Sequence, residues 1–174
     1  MAYSSITKPS LHFNTVTYTG NATARSITGV GFQPDWVWIK NRSSGSLWHQ
    51  LQDAVRGAAK NLYSNNTNAE AATGTASITS FDSDGFTIGT GNGANGNGNN
   101  IVSWNWKAAN SSGSSNSDGS ITSTVSANTT AGFSIITYTG TGSTTTVGHG
   151  LGVKPNVVIY KERNSANSWR LMTD

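Results

Sequence analysis

Phe13-Asn-Thr-Val-Thr-Tyr-Thr-Gly20 recurs in this chain as Phe133-Ser-Ile-Ile-Thr-Tyr-Thr-Gly140. Each copy is a short run of alternating β-branched and aromatic residues closed by glycine, the pattern of a strand entering a turn. The similarity then continues outward. Gly29-Val-Gly-Phe-Gln-Pro34 aligns with Gly150-Leu-Gly-Val-Lys-Pro155, and Trp36-Val-Trp-Ile-Lys-Asn-Arg42 aligns with Val157-Val-Ile-Tyr-Lys-Glu-Arg163. Trp48 falls opposite Trp169, and Asp53 opposite Asp174. Solenoid units repeat every 20 to 50 residues or so. A repeat this much longer reads as a tandem domain, with the second copy represented by its opening strands and further copies expected downstream.

Strand patterns dominate the rest of the sequence. Gly85-Phe-Thr-Ile-Gly89 and Ile101-Val-Ser-Trp-Asn-Trp106 are rich in β-branched and aromatic residues and are bounded by Gly and Asn. Pro34 and Pro155 each stand just before an apolar run, where a missing amide costs no ladder bond. Asp82-Ser-Asp-Gly85 between Phe81 and Phe86 predicts a tight hairpin turn with glycine at the position that needs a positive φ. Leu47, Leu51, Val55, Ala58 and Leu62 have helical spacing, but Arg56-Gly57 interrupts them as a turn would. The preferred reading of 47–62 is strand, turn, strand.

Two stretches are too polar to read as strands. Residues 90–100, almost wholly Gly and Asn, predict a long exposed loop, and residues 108–120, mostly Ser, Asn and Gly, predict the start of a connection. The expected organisation is an N-terminal arm at 1–12, a first β-sandwich at 13–107, a linker at 108–132, and the opening strands of an incomplete second copy at 133–174. The fold class is all-β, an antiparallel sandwich.

Composition supports this and narrows the function. Among 174 residues only 11% are charged and 20 are glycine, which suits short strands and many turns, while six Trp, five Tyr and five Phe supply a core. The net charge is +3, yet the 11 Lys and Arg are scattered, so no basic stripe for nucleic acid is present. With no cysteine, disulfides and thiolate metal sites are excluded. No apolar run approaches the ~20 residues that cross a bilayer, and the first residues lack a signal-peptide pattern, so a soluble protein without membrane insertion is expected.

Few residues suggest reaction chemistry. His12, His49 and His149 are the only histidines and none lies in a nucleophile motif, so no catalytic residue is assigned. Asp82 and Asp84 form a weak calcium candidate, since two carboxylates fall short of the six to eight oxygens the ion takes. The same side chains serve equally as caps of their own turn. No cofactor is expected. Trp36 and Trp38 alternate, as do Trp104 and Trp106, so each pair projects from one face of its strand. Such pairs fill a sandwich core or, alternatively, form a platform on which sugar rings stack; burial separates the two.

The string Phe32-Gln-Pro-Asp-Trp-Val-Trp-Ile-Lys-Asn-Arg-Ser43, with Asp53-Ala-Val-Arg-Gly57, Phe81-Asp-Ser-Asp-Gly-Phe86 and Trp104-Asn-Trp-Lys107, resembles an uncharacterised tandem domain of marine bacteriophages, cyanophages among them. The resemblance covers nearly all of 13–174. It implies a concanavalin-like or jelly-roll sandwich in a virion structural protein, of fibre or capsid-decoration type, made in the host cytoplasm. The expected partners are other virion proteins of capsid or tail, further copies in a homo-oligomer, and a host-surface glycan. Tyr3, Ile6 and Phe13 are then the expected anchors of the arm on the particle, with the sandwiches projecting for adhesion. A capsid cement protein and a polysaccharide-degrading tail enzyme are the alternatives.

Overall fold

The structure, a computed structural model, describes residues 6–174. Tyr3 lies outside the described residues. A 3-10 turn at Pro9–Leu11 leads into β1 (Phe13–Thr19). There follow β2 (Arg25–Thr28), β3 (Trp36–Asn41), β4 (Gln50–Asp53), β5 (Lys60–Tyr63), β6 (Ala71–Ala72), β7 (Ile78–Asp82) and β8 (Gly85–Ile88). A single helical turn, α1 (Asn92–Asn95), precedes β9 (Asn100–Trp106). The remainder is β10 (Ser114–Asn116), β11 (Ser123–Asn128), β12 (Phe133–Tyr138), β13 (Val157–Tyr160) and β14 (Arg170–Thr173).

The chain is an all-β antiparallel sandwich. One layer is the six-stranded sheet β1-β9-β3-β4-β5-β6, and the other is the three-stranded sheet β2-β8-β7. Between them lie Ile27, Val37, Ile39, Ile78, Phe86, Ile88, Ala94 and Ile101, all buried. β3 shows why: its burial alternates strictly, with Val37, Ile39 and Asn41 inward and Trp36, Trp38 and Lys40 outward. Gln52 ties the two layers together. Its amide accepts from the Ile78 N–H at 3.0 Å and donates to the Ile78 carbonyl at 3.4 Å, taking the place of a neighbouring strand for β7.

The strand, turn, strand reading of 47–62 holds as β4 and β5, with Gly57 at φ 93° and Ala59 at φ 62° between them. The Asp82–Gly85 hairpin holds as well, and the glycine has a steric reason. A Cβ on Gly85 would lie 2.0 Å from the carbonyl oxygen of Ile27, on the adjoining strand.

Two expectations need correction. Residues 90–100 are not a long exposed loop. They carry α1, Ala94 is wholly buried in the core, and the Asn95 amide accepts from the Asn21 N–H while donating to the carbonyls of Thr23 and Gly89. Short polar side chains here close the end of the sandwich with hydrogen bonds rather than apolar area. Nor is 108–132 a bare linker, because β10 and β11 lie within it and pair with each other, and β11 pairs with β12, in a second three-stranded sheet. Ladder bonds need only backbone, so a Ser- and Asn-rich segment forms strands once a partner is alongside. Val125, Ser123 and Ser126 are buried there.

The segment is also tied at its start by Asp35. This wholly buried carboxylate accepts from the backbone N–H groups of Ala108 (2.6 Å), Asn110 (2.9 Å) and Ser111 (3.2 Å). Burial pushes its pKa up, against the pull of these amides and of Lys107.

β13 and β14 form a separate two-stranded hairpin. Three contacts fasten it to the first sandwich: Arg163 grips Glu70 bidentately, at 2.9 and 2.8 Å, its carbonyl accepts from the Glu70 N–H at 2.8 Å, and the Trp169 indole donates to the Tyr63 carbonyl at 2.8 Å. Glu70 also receives Arg56, which in turn pairs with Asp53.

Candidate functional site

The outward face of the six-stranded sheet is aromatic. β9 pairs with β1 on one side and β3 on the other, placing Phe13, Trp106 and Trp36 in one cross-strand row. Thr15, Trp104 and Trp38 form the next row, and Thr17, Val102 and Lys40 the third. The four tryptophans named from the sequence are therefore brought together. They do not fill the sandwich core, because Val37, Ile39, Ile101, Ser103 and Asn105 hold the inward positions of the same strands. All four indoles are half-buried, packed against one another and against Phe13, Phe133 and His49.

The rings interlock at an angle instead of lying flat. Trp36 and Trp106 have centroids 4.5 Å apart with planes at 52°, and Trp38 meets Trp104 edge-on at 5.7 Å. Phe13 sits 4.7 Å from Trp106. Tilted packing of this kind favours ring edges on ring faces. It leaves a notch of about 190 Å³ lined by Phe13, Trp38, Trp104 and Trp106. A partner group entering it meets carbon on every side.

Polar groups stand at the rim. The Trp38 indole N–H donates to His49 Nδ1 at 3.0 Å, which requires that nitrogen to be unprotonated. Burial, and then the nearby charge of Lys40, lowers the His49 pKa. Lys40 itself turns onto the 44–47 loop, donating to the carbonyl of Leu47 at 2.7 Å. At the far end, Phe133 from β12 packs 5.9 Å from Trp36 and 6.4 Å from Trp106. The turn that carries it is held by Asn128, whose amide contacts His12 Nδ1 and the Lys107 carbonyl.

Phe13, expected as an anchor of the arm, thus belongs to the sheet and to this face. Ile6 is half-buried beyond the 3-10 turn. Sequence reasoning missed Phe13, Phe133 and His49 as members of the site. Strand alternation marks Phe13 as outward, but which strand lies beside it is a tertiary fact.

The acidic residues are occupied elsewhere. Asp82 accepts from the hydroxyls of Ser80 (2.8 Å) and Thr87 (2.7 Å). Asp84 accepts from the N–H groups of Gly29 (3.1 Å) and Gly31 (2.6 Å), and these bonds hold its pKa below the ordinary carboxylate range. The two carboxylates weighed for calcium serve different loops. Among the described residues no group of three or more His, Asp or Glu converges as a metal site.

Residues 8–174 match a family described as a domain of unknown function, DUF7483. The chain belongs to this family. No curated protein and no solved structure matches it. The DUF7483 match takes in the first sandwich, the β10-β11-β12 sheet and the β13-β14 hairpin together. This extent agrees with the contacts that join them: Asp35 to the 108–111 backbone, Phe133 to the tryptophan face, and Arg163 to Glu70.

Proposed function

We propose that this DUF7483 chain is a non-enzymatic structural component of a bacteriophage virion, and that its tryptophan face contacts glycans on the host surface. The observation that carries the reading is the cluster of four half-buried indoles and Phe13 on the outer face of a rigid sheet. The uncovered parts of half-buried indoles present apolar surface to a sugar ring, and fixed rings lose little entropy on contact. The resemblance of the 32–43, 53–57, 81–86 and 104–107 motifs to marine phage repeat domains supports the virion setting.

A second reading, a capsid cement protein, is favoured by one feature. The notch is lined by rings alone, which suits insertion of an apolar side chain from a shell protein as well as stacking of a sugar.

Glycan-array binding, followed by calorimetry with wild-type protein and Trp38→Ala, tests the first reading. Binding to a bacterial surface glycan that weakens at least about tenfold on losing one indole, ~1.4 kcal/mol, is the expected result. Absence of any glycan binding, with the chain found by electron microscopy seated on the shell through this face, would favour the cement role and defeat adhesion.

A further inference from the structure

We infer that the free edge of β1 is a docking surface for the β1 edge of a second copy of this chain, joining the two large sheets across a twofold axis. The inference goes beyond the proposed function and does not depend on glycan binding.

Chain parity shows which backbone groups are free. His12 accepts from the Lys107 N–H and Gly20 donates to the Asn99 carbonyl, so the even-numbered residues of β1 turn their polar groups toward β9. Phe13, Thr15, Thr17 and Thr19 therefore point theirs out of the sheet. Two of these groups have local partners: the Thr15 N–H bonds to the Asn14 side chain at 2.9 Å, and the Thr19 carbonyl takes the Arg25 guanidinium. Among the described residues, those of Phe13 and Thr17 have none from another strand, since β1 is there the outermost strand of its sheet.

Edge strands of soluble proteins are normally blunted by charge, proline, a bulge, shortness or a covering segment. β1 has none of the first four. It is seven residues long, Phe-Asn-Thr-Val-Thr-Tyr-Thr, with no charged residue or proline, and pairs with β9 residue for residue without a bulge. The opposite edge differs: β6 has two residues, and the adjoining Glu70 N–H is taken by the Arg163 carbonyl.

The occupant follows from self-complementarity. Antiparallel pairing centred on Val16 sets Thr15 opposite Thr17 of the second copy and Phe13 opposite Thr19, matching every outward-facing residue with another. Centring on Thr15 or Thr17 matches only three. No like charges meet, and on the outer face the two inner pairs are threonine against threonine, a favourable cross-strand pair, with Phe13 against Thr19 at each end. A twofold axis normal to the sheet keeps both tryptophan faces on the same side, so the dimer would present two notches in one surface.

Analytical ultracentrifugation of the full chain from micromolar to millimolar concentration, with amide hydrogen exchange at Thr15 and Thr17, tests this. The expected species has twice the 18.2 kDa chain mass, and both amides gain protection as it forms. Thr17→Pro removes an outward N–H without touching the β9 ladder, and Thr17→Lys places like charges across the seam. Each should return the mass to 18.2 kDa with the near-ultraviolet tryptophan spectrum retained. If Thr17→Pro loses that spectrum, Thr17→Lys and the wild-type exchange data decide. A monomer at every concentration, a dimer that survives both substitutions, or concentration-independent protection supplied by the chain's own N-terminal residues would each overturn the inference.

Discussion

In the hairpin β3–β4, Val37 and Ile39 are at most 1% exposed, whereas their aligned counterparts in β13–β14, Val158 and Tyr160, are 37% and 42% exposed. The first hairpin has β9 beside it, β5 on its other flank and the β2-β8-β7 sheet beneath; the second has its own two strands only. The pairing differs too. Val37 faces Gln52 in the first hairpin, and the equivalent match in the second would be Val158 with Thr173, yet Val158 faces Met172. A slip of one residue turns every side chain of one strand to the other face, which a buried hairpin cannot tolerate and an exposed one can. Sequence similarity therefore specified a hairpin twice, and neighbours specified its register once.

The largest expected contrast is in core truncation. Ile39→Ala should cost about 3 kcal/mol by urea denaturation, while Tyr160→Ala should stay within ~0.5 kcal/mol. Equal losses would mean that the second hairpin is packed in solution as the first is.

Gln52→Ala comes next, because it strands the N–H of Ile78 inside the sandwich, while the Ile78 carbonyl keeps the Ala59 N–H. A loss of about 1–3 kcal/mol is expected, against almost none for Thr173→Ala, the aligned position.

The clasp between the hairpin and the sandwich is smaller and depends on pH. Burial raises the Glu70 pKa, but hydrogen bonds from Arg163 and Arg56 together with their charges outweigh it and hold the carboxyl below its ordinary range. A depressed folded-state pKa stabilises above the unfolded value and is lost as pH falls through the folded one. Amides of 157–160 and 170–173 should thus lose exchange protection on acidification before those of β3 and β4. Glu70→Gln should produce the same loosening at neutral pH; unchanged protection in that variant would show that Trp169 and the Glu70–Arg163 backbone bond suffice to fasten the hairpin.

The smallest effect is dynamic. Relaxation dispersion at 157–160 from exchange between the two registers is expected, with none at β3, and a single rigid register in both would refute weak specification.

Legibility followed the kind of force involved. Strands with alternating apolar residues, the hairpin at 82–85 and the β4–β5 pair were readable, because side-chain periodicity and a glycine-marked turn act locally. α1 and the β10–β11 strands were not: Asn21 and Thr23 hold α1 and Asp35 holds 108–111 from distant parts of the chain, and β10–β11 pair through backbone without apolar alternation. The site divides the same way. Trp36, Trp38, Trp104 and Trp106 were nameable in advance, but their position on the outer face was not.

By itself, then, the sequence determined an all-β chain, most strand positions and which residues share a face of each strand, since period-two alternation is a property of the local backbone. Which face turned inward, which strand became β1's neighbour and whether a hairpin held its register were decided only by tertiary packing. Burial and ladder bonds are made between segments far apart in the chain, and Phe13 beside Trp106 is one such pairing.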